Sequence, residues 1–153
     1  MITAHGAGRR FFLLLAVSAM ASGCEPGGKA DMELAQRLTK AAEAVAHGQL
    51  LSLDKLATQP WEEVLLIGPY TPVDLMKQAV GGDLSPALQR IQIEQRDDVN
   101  AVVFLQGGKV AAAVALSRRV ADFPKSELLR PVPRAQAQLL RATAGVDFRW
   151  QPH

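Results

Sequence analysis

The first strong pattern along the chain is a stripe of apolar residues at helical spacing, which starts after Ala30. Apolar positions three and four residues apart share one side of a helix, so the stripe predicts a helix from Asp31 to about His47. Asp31 suits the N-cap, and Gly48 suits the stop. The side chains expected to face the core are Leu34, Leu38, Ala41, Ala42 and Val45.

A denser apolar run predicts a strand from Trp61 to Ile67. Its last four residues are apolar without alternation, which is typical of a strand covered on both faces, so we expect it inside the sheet. Thr71 and Pro72 then predict a helix, with the threonine at the cap and the proline at the first helical position. The pair Gly81-Gly82 ends this second helix.

Weaker signals flank these two elements. The leucines of residues 51–56 predict a short turn or helix before Pro60, and Ser85-Pro86 predicts the start of another short helix. Ile91 and Ile93 alternate with polar residues, which favours an edge strand.

Residues 101–116 carry two apolar runs around Gly107-Gly108, a pair that supplies positive φ twice and so predicts a type I′ hairpin turn. If Gln106 pairs with Lys109, the register of the hairpin follows. One face would then hold Leu105, Val103, Ala101, Val110, Ala112 and Val114. The other face is rich in alanine, and we expect a helix to pack closely against it. The alternative is that this face binds an apolar ligand. Its residues would be Phe104, Val102, Ala111, Ala113 and Ala115.

The C-terminal part allows two interpretations. Residues 135–140 have helical composition, whereas residues 139–143 and 146–150 flank Ala144-Gly145 and form a hairpin in the interpretation we favour. The whole pattern predicts a single α+β domain over residues 31–153. In it, helices pack on one face of a mainly antiparallel sheet that contains the Gly107-Gly108 hairpin.

The chain opens with an export signal over residues 1–23. Arg9 and Arg10 precede a short apolar run and then small residues, the order that a signal peptidase requires. The run is too short for a membrane-spanning helix. Export through the general secretory route and export through the twin-arginine route both remain open, because Arg9-Arg10-Phe11-Phe12-Leu13 resembles the twin-arginine motif.

The segment Ala21-Ser22-Gly23-Cys24 resembles the lipobox of bacterial lipoproteins. The resemblance implies cleavage before Cys24, acylation of this residue with diacylglyceryl and palmitate-type chains, and anchoring to the periplasmic face of a membrane. Glu25 follows the cysteine in place of the aspartate that retains many such proteins in the inner membrane, so the outer membrane is favoured. Residues 24–30 would be the lipidated cysteine and a short tether.

A second resemblance covers roughly residues 50–123. Trp61-Glu62-Glu63-Val64 running into Gly68-Pro69-Tyr70-Thr71-Pro72 is similar to a group of small bacterial exported proteins of no established function. The resemblance marks Trp61 and Tyr70 as hallmark positions and implies no catalytic residues. A structural interpretation competes with a binding role at both positions: a buried core anchor at Trp61, and a buried ring with a satisfied hydroxyl at Tyr70.

Charge is balanced overall but unevenly distributed. Removal of residues 1–23 takes away Arg9 and Arg10 and leaves 15 basic residues against 15 acidic ones. From Ser117 onward basic residues exceed acidic ones by four, so Arg118 and Arg119 could bind anionic lipid headgroups, another envelope protein or an anionic envelope polymer. A nucleic-acid partner is not expected.

Few residues are available for catalysis. Cys24 is the only cysteine, and with its sulfur acylated no thiol remains for redox or nucleophilic chemistry. We therefore expect no metal, no cofactor and no enzyme activity, and a membrane-anchored binding or scaffolding module instead. The candidate binding residues are Trp61, Tyr70, Arg118, Arg119 and an exposed Trp150. The alternative is an envelope enzyme with a polar cleft near Tyr70 that uses Tyr70, Asp98 or His47.

Overall fold

Residues 26–152 are described in a computed structural model, and they form helices and two antiparallel sheets, which confirms the predicted α+β fold. The elements of this part of the chain are α1 (Pro26–Ala44), β1 (Leu50–Ser52), β2 (Glu63–Ile67), α2 (Val73–Ala79), α3 (Pro86–Ile91), β3 (Val99–Gln106), β4 (Lys109–Ser117), β5 (Val132–Pro133), β6 (Gln138–Arg141) and β7 (Phe148–Trp150).

The larger sheet has four strands in the order β4-β3-β2-β5. β2 lies inside it, paired with β3 and β5, as its unbroken apolar run predicts. Val64 and Leu66 join one core cluster, while Leu65 and Ile67 join another on the opposite face. Both faces of β2 are therefore covered.

The helices occupy both faces of this sheet, not the single face that we predicted. On one face α1 packs together with the three-stranded sheet β1-β6-β7, through buried residues such as Leu38 and Phe148. On the other face α2 and α3 pack through Met76 and Leu88. A sheet whose strands are apolar on both sides needs cover on both sides, which explains the second layer.

The β3-β4 hairpin turns at Gly107 and Gly108, whose φ values are 55° and 71°. Gln106 pairs with Lys109, as predicted. The register then shifts at Phe104/Leu105, so that the residues of β4 beyond the shift change faces relative to β3. The predicted face composition was wrong for this reason, since Ala112 and Val114 lie with Phe104 and Val102 in the first cluster.

The first helix starts earlier and ends earlier than expected. It runs from Pro26 to Ala44, so residues 26–30, which we predicted to belong to the tether, are helical. Asp31 lies inside the helix and not at its cap, and its carboxylate accepts a hydrogen bond of 3.1 Å from Arg90 at the end of α3. Burial outweighs this ion pair and raises the pKa of Asp31.

Of the residues predicted to cap α2 and α3, only the one at α3 acts as an N-cap. Ser85 caps α3 by accepting a hydrogen bond from the backbone N–H of Leu88, as predicted. Thr71 does not cap α2, because its hydroxyl donates to the carbonyl of Gly68 at 2.8 Å. The edge strand predicted at Ile91 and Ile93 was wrong, since α3 ends there and a 3₁₀ turn follows.

The C-terminal hairpin is confirmed. β6 and β7 pair antiparallel, with Leu139 opposite Trp150, and only a short 3₁₀ turn precedes them. The pattern gave no sign of β1, which pairs with β6 through Leu51 and completes the smaller sheet. Three residues are too few to show a period, and a turn or helix was the expectation there.

Candidate functional site

Trp61 is part of the core. Its ring is buried and meets the ring of Phe104 edge to face, with the ring centroids 5.1 Å apart. The guanidinium carbon of Arg134 lies 4.9 Å from the centroid of Trp61, an arrangement that favours a cation–π interaction. These contacts agree with the interpretation of Trp61 as a core anchor.

Trp150 is also buried, at 6 % exposure, so the prediction of an exposed ring was wrong. The indole N–H donates to the carbonyl of Glu127 at 3.3 Å, and the ring forms one wall of a cavity of about 470 Å³. Strand β7 alternates buried and exposed positions, and Trp150 falls on the buried side with Phe148 while Arg149 faces outward.

Arg118 is held by acidic and carbonyl groups of its own chain. Its guanidinium donates to the two carboxylate oxygens of Asp122 at 2.9 and 2.6 Å and to the carbonyl of Asp97 at 2.9 Å. The hydrogen bond from Arg118 holds the pKa of Asp122 below its usual range. Arg119 is exposed beside it. Arg118 therefore fixes the loop after β4, and Arg119 is the freer cation of the two.

Tyr70 differs from the two candidate tryptophans because its ring is exposed. Its side chain is 60 % exposed and its φ is 56°, in the left-handed region that residues with a Cβ rarely adopt. Of the two interpretations of Tyr70, the buried ring with a satisfied hydroxyl was therefore wrong. The backbone is nonetheless firmly held, since the N–H of Tyr70 donates to the carbonyl of Ile93 at 2.9 Å and Thr71 bonds to Gly68. A rigid turn thus presents an aromatic ring to solvent.

The helix after Tyr70 adds apolar surface. Val73 and Leu75 are 39 % and 44 % exposed, although α2 buries Met76. Val73 borders a cavity of about 520 Å³ between α2 and α3, which we call the α2–α3 cleft. The backbone of Tyr70 bonds to Ile93, which precedes Glu94 of the cleft wall in the chain. The cleft is lined by Val73, Lys77, Asp83, Leu84, Gln89 and Glu94.

Tyr70 and the two arginines lie at the same end of the larger sheet. Ile67 at the end of β2 pairs with Ala101, and Val99 at the start of β3 pairs with Ser117 at the end of β4. The loops that carry Tyr70 and Arg118 therefore follow the ends of β2 and β4, which flank the start of β3. Trp61 precedes β2 and lies at the other end, so the structure does not bring the five candidate residues together.

The residues named for an enzyme have separate partners. Nδ1 of His47 donates to the carbonyl of Ala142 at 3.0 Å, while Asp98 accepts two hydrogen bonds from Arg96. Between residues 26 and 152, no group of three or more histidine, cysteine or acidic side chains is placed to hold a metal ion. Within that same range, no helix has both the length and the apolar composition to cross a membrane.

The exposed apolar surface of α2 was not predicted, although the sequence holds a signal for it. Val73 and Leu75 lie about 200° apart around a helix of 3.6 residues per turn. A helix that buries Met76 against a sheet cannot bury both of them as well. When a short helix has apolar residues on more of its circumference than it can bury, some of them indicate an exposed apolar face.

Comparisons of the chain with protein-family models, with curated proteins and with solved structures found no match. The lipobox resemblance and the resemblance to small exported proteins therefore stay predictions, and Cys24 lies outside the residues that the structure describes.

Proposed function

We propose that this protein is a lipid-anchored binding module of the bacterial cell envelope, and that it binds a partner through Tyr70 and the α2–α3 cleft. The observation that carries the proposal is the exposed ring of Tyr70 on a backbone with φ of 56°. The ring is well exposed, and the conformation is unfavourable for a tyrosine.

The energetics favour recognition over a structural role. A residue with a Cβ in the left-handed region costs about 1–2 kcal/mol, and glycine adopts the same φ freely. An exposed ring regains little of this cost by burial. Strained residues of this kind cluster at ligand-binding positions, and tyrosine is enriched among the residues that dominate the binding energy of protein interfaces.

The anchor is the second part of the proposal. The lipobox resemblance at Cys24 supports it, and two or more acyl chains would hold the protein at a membrane because each buried methylene contributes about 0.8 kcal/mol. With α1 starting at Pro26, the acylated cysteine would lie close to the folded domain. The partner would then be met at the periplasmic face, with the outer membrane favoured by Glu25.

Site-specific photo-crosslinking in the cells that naturally make this chain tests the binding surface. A benzophenone amino acid is placed at Tyr70 and, as the matched control, at Leu50, which is also exposed but lies on β1 of the smaller sheet. We expect a crosslinked product of defined mass from position 70 and none from position 50. Equal products from both positions, or none from position 70, would contradict the proposed surface.

A further inference from the structure

The C-terminal end of α1 is firmly held by the rest of the domain. The guanidinium of Arg141 donates hydrogen bonds of 2.6 and 3.4 Å to the carbonyls of Val45 and Ala42. Such bonds satisfy carbonyl groups that the end of a helix leaves without partners. Leu38 and Ala42 are also buried in the first core cluster, so this end of the helix belongs to the core.

The first turns of α1 are held differently. We call residues 26–33 the N-terminal segment. None of residues 28–33 is buried, and Met32 is 63 % exposed. Lys29 and Glu33 form an ion pair of 3.9 Å, but it lies within the segment and both side chains are largely exposed. The segment therefore adds little to the core.

An ion pair links the N-terminal segment to α3. Arg90 donates a hydrogen bond of 3.1 Å to the carboxylate of Asp31, and 47 % of the Arg90 side chain is exposed. Ion pairs that are open to water contribute little to stability. Burial raises the pKa of Asp31 in spite of the arginine, so the carboxylate loses more by desolvation than the pair returns. This link is therefore weak.

The composition of the N-terminal segment also favours release. The segment opens with Pro26-Gly27-Gly28, and glycine is among the least favourable residues in a helix. The end of a helix frays at a small cost in free energy where it buries no side chain. Eight residues span about 12 Å as a helix and about 26–29 Å when extended. Release would therefore lengthen the connection between Cys24 and the core by about 15 Å.

We infer that residues 26–33 are a releasable part of the membrane tether, which docks on α3 as a helix and extends when the pair between Asp31 and Arg90 opens. The docked segment keeps the domain close to the acylated Cys24, and the released segment lets it reach a partner farther from the membrane. Release stops before Leu34, because this side chain is fully buried. The effect at the membrane rests on the anchor of the proposed function, whereas the release itself does not.

Hydrogen exchange of the acylated full-length protein in detergent, measured by mass spectrometry on peptides of α1, tests the release. The amides of residues 30–33 should exchange at least about tenfold faster than those of residues 38–42. Gly28→Ala should slow the exchange of residues 30–33 about fivefold, which corresponds to about 1 kcal/mol. Gly82→Ala is the matched control, since a Cβ at either glycine would meet no packed neighbour within 4 Å in the described part of the chain.

A second pair of variants tests the link to α3. Arg90→Gln should speed the exchange of residues 30–33 about threefold, because it removes the charge that holds the carboxylate. The matched control is Arg130→Gln, which removes another exposed ion pair, with Glu127, and should leave this exchange unchanged. Equal protection of residues 30–33 and 38–42, or an equal response to a variant and its control, would overturn the inference.

Energy transfer in vesicles tests the extension of the tether. Because Cys24 is the only native cysteine and is acylated, Arg149→Cys supplies a single thiol for a donor dye on exposed β7. The acceptor is a headgroup-labelled lipid in vesicles of phosphatidylethanolamine and phosphatidylglycerol. We expect Arg90→Gln to lower the transfer efficiency and Gly28→Ala to raise it. Equal transfer in both variants would overturn the extension. A native chain that leaves the vesicles would refute the anchor of the proposed function, with release judged by the exchange.

Discussion

Replacement of Phe104 by alanine is expected to lower the free energy of unfolding by about 3–5 kcal/mol. Phe104 is fully buried in the first core cluster, and its ring also packs edge to face against Trp61. Alanine would remove this ring contact and leave a cavity between the larger sheet and α1. Urea unfolding followed by circular dichroism gives the value directly.

The matched control is Phe104→Leu, which keeps most of the volume and is expected to cost about half as much or less. Trp61→Phe provides a second comparison, because it preserves an aromatic partner for Phe104. A loss below about 1 kcal/mol for Phe104→Ala would show that this cluster does not hold the two layers together.

Replacement of Cys24 by alanine is expected to abolish fatty-acid attachment and retention at the membrane. The sulfur is the site where the lipobox resemblance places the first acyl chains, and Cys24 is the only cysteine in the chain. Without acyl chains the protein would lose a hydrophobic contribution of about 0.8 kcal/mol for each methylene. Metabolic labelling with a fatty-acid analogue, followed by separation of the inner and outer membranes, measures both effects.

A variant outside the motif, Met32→Ala, is the control and should keep its label. Label that persists on Cys24→Ala, or a native chain that is unlabelled and freely soluble, would contradict the anchor. The membrane fraction that holds the labelled native chain tests the preference for the outer membrane that Glu25 suggests.

Elements with local determinants could be predicted from the sequence. The β3-β4 turn follows from Gly107-Gly108, because two consecutive residues at positive φ favour glycine. The central position of β2 follows from its unbroken apolar run, and the last hairpin from the alternation ending at Trp150. In each case the information lies within a few neighbouring residues.

Features that depend on distant parts of the chain could not be predicted in this way. The register shift at Phe104/Leu105 reverses the faces of β4 beyond it, although the turn itself was correct. Asp31 has the composition of a cap, yet it lies inside α1 and bonds to Arg90, 59 residues away. A local sequence pattern does not show which distant residue will form a hydrogen bond with a given side chain.

The solvent exposure of the candidate aromatic side chains was predicted poorly. Tyr70 and Trp150 were both candidate residues: Trp150 was expected to be exposed and is buried, while Tyr70, for which a buried ring competed with a binding role, is exposed. Both rings are amphipathic, so their composition alone does not say which end meets water. Trp150 belongs to the three-stranded sheet, and this sheet includes β1, a strand that the apolar pattern did not predict.

The central claim is that Tyr70 keeps an unfavourable backbone conformation for a partner and not for the fold. The measurement that tests it most directly compares the free energies of unfolding of Tyr70→Gly and Gln92→Gly. Gln92 is the matched position, because it is exposed and its φ is 53°. Glycine relieves about 1–2 kcal/mol of strain at either site and costs about 0.5–1 kcal/mol of backbone entropy.

If the ring of Tyr70 does nothing for the fold, both variants should be slightly more stable than the native chain and should agree within about 0.5 kcal/mol. A Tyr70→Gly variant that is less stable than the native chain by more than about 1 kcal/mol, beside a Gln92→Gly variant that is not, would contradict the claim. Tyr70 would then be a structural residue, and its exposure would carry no argument for binding.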